Sequence, residues 1–115
     1  MRDDRLTDKA IAFSARILKL YKFLTEEKKE YIVSKQIVRS GTSIGANITE
    51  ANYGQSKADF ISKLHIALKE SAETIYWLKL LVRTDYLTQQ EYSSLITDCE
   101  ELLKILTASI NTAKK

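Results

Sequence analysis

Glu50, Glu70 and Glu73, with His65 and Cys99, are the residues whose types could carry out chemistry in this chain. Three inward carboxylates would suit a pair of metal ions in a helical bundle. Such sites, however, draw a Glu-x-x-His from each of two helices, and the chain contains no such pair. His65 is the sole histidine and lies beside an apolar seam, where a structural role is expected. Cys99 falls on an apolar stripe and reads as a small core residue rather than a nucleophile. The segment SGTSIGAN carries glycines but lacks the Gly-Lys-Ser/Thr ending of a phosphate loop, and no strand pattern precedes it. A glycine inside a helix costs about 1 kcal/mol, so Gly41 and Gly45 call for a packing reason, such as the close approach of another helix. No catalytic residue, metal ligand or cofactor is expected, and neither is enzymatic activity.

The polar residues that remain fall into two sets. Gln36, Arg39, Ser43, Asn47 and Glu50 follow helical spacing beside an apolar seam. Arg39, Ser43, Asn47 and Glu50 are expected to meet Glu70 and Glu73 of the next helix in a structural network. Arg39 can hold a carboxylate through two parallel hydrogen bonds, and a satisfied network can fix helix register. The second set is basic: Arg2, Arg5, Lys9 and Arg16 share one angular sector of the first helix, with Lys19 and Lys22 further round. Such a stripe is either a solvated edge whose side-chain stems shelter the core or a contact line for phosphates.

Four helices would position these residues. Leu6, Ala10, Phe13, Ile17, Leu20 or Tyr21, and Leu24 form the stripe of the first, which starts near Asp3 or Asp4. Thr25 reads as the cap of the second, followed by acidic Glu26 and Glu27, and that helix is expected to run to about Tyr53, with Gly54 as its stop. Its apolar face is Ile37, Gly41, Ile44, Ile48 and Ala51. The third helix, from about Lys57 to Thr84 with Ser56 before it, carries more apolar surface than one interface needs. Phe60, Leu64, Ala67 or Leu68, Ser71, Ile75, Leu78 and Val82 make one seam. Ile66, Tyr76, Trp77 and Leu80 lie on another side and are the candidate contacts of an oligomer. Thr88 and Glu91 form a capping box for the fourth helix, whose stripe runs from Tyr92 to Ile110. Short turns between amphipathic helices imply an all-α, antiparallel up-down-up-down four-helix bundle occupying residues 1–115 as a single domain.

The bulk composition agrees. The chain has 115 residues, no proline and three glycines, so only short polar turns interrupt its helices. A formal charge of +3 permits an anionic partner without requiring one. A lone cysteine, no apolar leader and no run long enough to span a bilayer point to a cytoplasmic protein without a membrane partner. The sequon Asn47-Ile48-Thr49 lies within a helix and reads as accidental.

RSGTSIGANITEA followed by DFISKLHIALKESAETIYWLKLL resembles the four-helix-bundle proteins encoded in intervening sequences of bacterial large-subunit ribosomal RNA genes. The likeness extends from the first helix through the turn TDYL. It is carried by Arg39, Ser43, Ile44, Asn47, Ile48, Glu50 and Ala51, and then by Phe60, Ile66, Ala67, Leu68, Glu70, Glu73, Tyr76, Trp77 and Leu78. Many relatives end the first motif in Glu-Gly; this chain has Glu50-Ala51-Asn52 and reaches glycine only at Gly54. The resemblance implies an antiparallel bundle that assembles into a homopentameric ring. It brings in a relative, the accessory protein of diversity-generating retroelements, which binds nucleic acid, and it supplies no catalytic residues. The expected function is therefore a homo-oligomeric module that binds RNA or DNA through a basic outer surface without reading bases. A scaffold for another protein, with no nucleic-acid role, is the alternative. Salt separates the two, because phosphate contacts weaken steeply with ionic strength.

Overall fold

The computed structural model describes residues 4–115, and within them every regular element is helical. Helix α1 spans Asp4–Lys22, α2 Val33–Asn52, α3 Lys57–Arg83 and α4 Gln89–Ala113. A π-helical turn, Phe23–Glu27, extends α1. The molecule is a rod of 44 × 20 × 19 Å, its length set by α3.

Side-chain pairs fix the path of the chain. Thr7 meets Asn52 and Ile17 meets Gly41, so α2 runs back along α1. Lys63 meets Glu50 and Thr74 meets Ser40, so α3 reverses again. Lys9 with Glu101 and Arg16 with Asp98 close α4 against α1. The interior is built from the expected α1 stripe, the Ile37–Ile44–Ile48 face of α2, and Leu95, Cys99, Leu102, Leu106 and Ile110 of α4. On α3 the buried line is Phe60, Leu64, Ala67, Ser71, Thr74, Leu78 and Leu81. Ile75 and Val82, expected in that seam, are only partly buried, because Thr74 and Leu81 occupy the central angle.

Gly41 is where α1 and α2 come closest. A Cβ there would stand 2.9 Å from both Cγ atoms of Ile17, whereas at Gly45 the nearest atoms lie at ordinary contact distance. The buried hydroxyls of Ser40 and Thr74 meet at 2.9 Å across α2 and α3, and Thr74 donates to the Glu70 carbonyl at 2.8 Å. No sequence signal marked this pair, since isolated serines and threonines also populate exposed helix faces.

The start of the second helix differs from expectation by a full turn and more. Thr25 caps nothing; its hydroxyl donates to the Tyr21 carbonyl, 2.9 Å away, inside the π-turn. The chain reverses at Lys29, in the left-handed region at φ 53°. Helix α2 then begins at Val33, its first N–H groups held by Glu30. One carboxylate oxygen accepts from Ile32 (3.1 Å) and Val33 (2.9 Å), and the other from Ser34 at 2.7 Å. The Ser34 hydroxyl donates back to the Glu30 carbonyl at 2.8 Å. EEKKEYI has good helix formers and neither glycine nor proline, so propensity masks the turn. The caps of α3 and α4 follow expectation. Ser56 caps α3 through the Asp59 N–H, and Thr88 and Glu91 form the capping box of α4.

Candidate functional site

Helices α2 and α3 place Arg39, Glu70, Glu73 and Trp77 on one outward surface. Arg39 donates to Glu70 at 2.9 Å and, through its other terminal nitrogen, to Glu73. The Trp77 indole N–H donates to the same Glu73 oxygen at 3.0 Å. That indole bond, with Arg39 beside it, holds the Glu73 carboxyl below its ordinary range, against the opposing effect of partial burial. Glu73 in turn raises the Arg39 guanidinium. Tyr76 packs edge-on against Trp77, ring centres 4.9 Å apart, and is 57% exposed. Ile66 is also exposed on this helix, while Leu80 and Trp77 are half-buried.

The network expected from the sequence is thus three separate groups. Arg39, Glu70 and Glu73 join through Trp77. Asn47 instead donates to the carbonyl and hydroxyl of Ser43 on its own helix, at 2.9 and 3.0 Å. Glu50 pairs with Lys63 at 3.1 Å. The spacing of four between Asn47 and Ser43 makes this local bond available.

The basic stripe of α1 is divided as well. Arg2 lies outside the described residues. Lys9 reaches Glu101 at 2.6 Å, and Arg16 reaches Asp98 at 2.7 Å together with the carbonyl and hydroxyl of Ser94. Those cations serve the α1–α4 seam. Arg5 lies over the end of α4 near Ser109 and Thr112. Lys19 borders a groove of about 510 Å³ floored by Leu20, Phe23, Leu87 and Leu95, and Lys22 is exposed. Among the described residues, neither Lys19 nor Lys22 enters an ion pair.

The chemistry-bearing residues are dispersed. Burial, with Glu100 and Asp98 nearby, pushes the Cys99 thiol up to about 12, so it is not a thiolate at neutral pH. His65 lies half-buried on α3. Among the described residues, no cluster of three or more histidines, cysteines, aspartates or glutamates could hold a metal ion. None of their helices is long and apolar enough to cross a membrane.

The architecture is that of an all-α four-helix bundle whose polar surface carries ion pairs between helices. The chain belongs to the family described as 23S rRNA-intervening sequence protein, which matches residues 2–108. It is similar to a crystal structure from Bacteroides thetaiotaomicron VPI-5482, described as a protein of unknown function from the S23 ribosomal protein family. The two share 56% identity and superpose with a TM-score of 0.94, over 96% of this chain and 99% of the other. No curated protein matches the chain.

Proposed function

We propose that the protein is a non-enzymatic cytoplasmic module that assembles with copies of itself and binds RNA or DNA by charge, without base-specific readout. One observation carries this reading. Lys9, Arg16, Arg39 and Lys63 are held in ion pairs between helices, whereas Lys19, Lys22, Lys28, Lys29 and Lys35, close together in the chain around the junction of α1 and α2, make no ion pair among the described residues. A run of unpaired lysines attracts a polyanion, and assembly multiplies it. If five copies assemble, at +3 each, the total is about +15. The family's own description, which refers to 23S rRNA, agrees with a nucleic-acid setting. Self-association draws on the Ile66, Tyr76, Trp77 and Leu80 side of α3, since a half-open tryptophan beside an exposed tyrosine suits a protein interface.

The test is a salt series with the purified protein, a structured RNA and a duplex DNA. Binding should fall log-linearly with salt and weaken in a Lys19→Gln/Lys22→Gln variant. Absence of binding at low salt would overturn the nucleic-acid reading. A scaffold that uses the Trp77 side to hold another polypeptide would then stand in its place.

A further inference from the structure

We infer that the turn joining α1 to α2 is a contact site for unpaired nucleotides, with Tyr31 as the stacking platform and Lys28, Lys29 and Lys35 as phosphate contacts. This rests on the nucleic-acid reading above and specifies which part of a nucleic acid is held, and by what. Tyr31 is 57% exposed and Ile32 is 79% exposed, the most open large apolar residue of the described chain. Neither covers the core. Their backbone is nonetheless held in place, because the Glu30 carboxylate accepts from the N–H groups of Ile32, Val33 and Ser34.

An exposed aromatic ring on an anchored backbone is a surface on which a base stacks, and stacking tolerates any base. The lysines are placed for the backbone of such a strand. Lys28 and Lys29 immediately precede the turn, and Lys35 sits in the first turn of α2. There the helix dipole disfavours a cation, and among the described residues no carboxylate pairs with it. Glu30, in the turn before α2, is spent on backbone N–H groups. Because Glu30 already occupies the N–H groups of Val33 and Ser34, the lysines are the groups left to contact an anion. Glu26 and Glu27 lie exposed on the preceding π-turn and direct an anionic strand toward the α2 side. A duplex cannot stack on Tyr31, because its bases are already stacked on each other. The site therefore prefers single strands and loops.

Fluorescence anisotropy with a labelled oligouridylate and a blunt RNA duplex tests the site on the full chain, in parallel with light scattering. Tyr31→Ala should weaken oligouridylate binding about tenfold and leave the duplex unaffected, while Tyr31→Phe keeps wild-type affinity. Lys28→Gln/Lys29→Gln should weaken both ligands and flatten the salt dependence. If wild type binds oligouridylate and Tyr31→Ala binds it equally well, the site is refuted while the module reading stands. If wild type binds neither RNA, both fail. A change of assembled mass in Tyr31→Ala would show that another copy covers the turn, and would overturn the site. So would wild-type binding to phosphatidylserine vesicles that is lost in the Tyr31→Ala protein, with oligouridylate binding intact.

Discussion

Glu30 shows how one side chain can replace the chemistry usually supplied by a capping serine or glycine. Burial alone would raise its pKa, but the N–H groups of Val33, Ser34 and Ile32 stabilise the charged form and lower it below the ordinary 4.5. A group whose folded pKa is depressed contributes stability above its unfolded value and loses it as pH falls through the folded one. The protein should therefore lose stability on acidification below about pH 4.5, as measured by thermal melts across that range. Glu30→Gln should be less stable at neutral pH and should show a shallower loss over the same acidic interval. Arg39 is a milder case. It is half exposed, so Arg39→Met is expected to cost about 1 kcal/mol, lowering Tm by about 4 °C. An unchanged melting temperature together with an unchanged assembled mass would remove it from any structural role. Neither Glu30's function nor the division of the Arg39 network was readable beforehand. A glutamate in a charged run has no periodicity to betray burial, and helical spacing shows which residues share a face but not how far each side chain reaches.

Among the elements, α1 and α2 meet through Gly41, and the two glycines of this stretch make opposite demands. Gly41→Ala would drive a methyl group into Ile17 and should destabilise by about 2 kcal/mol. Gly45→Ala meets ordinary contacts with Ser14 and Ala10 and should be neutral or stabilise by up to about 1 kcal/mol through helix propensity. Chemical denaturation of both variants checks the contrast. The sequence suggested a close approach for both positions; only packing distances separate them. Helix identity, the core stripes of α1 and α2, and the caps at Ser56 and Thr88 were legible because each rests on local periodicity or a reciprocal side-chain bond. The reversal at Lys29 was not, because its positive φ falls on a lysine among helix formers rather than on a glycine. On α3, with apolar residues on several sides, spacing could not separate Thr74 from Ile75 or Leu81 from Val82 as the central line.

For the whole molecule, the division of its cations matters most. Lys9→Gln/Arg16→Gln should loosen the α1–α4 seam and lower the melting temperature slightly, while leaving nucleic-acid affinity nearly unchanged. Lys19→Gln/Lys22→Gln should do the reverse. Binding titrations and melts on both pairs would separate the two roles that one sequence stripe combined. The chain also carries a single tryptophan and a single cysteine, in opposite environments. Trp77 lies at the outer surface of α3 and Cys99 is sealed within the core. They are two built-in reporters of different events. Indole emission would follow copies leaving one another, while thiol reagents would register only a bundle that has opened. Diluting the protein and following both signals would show whether a single copy stands alone, or whether parting and unfolding are one step.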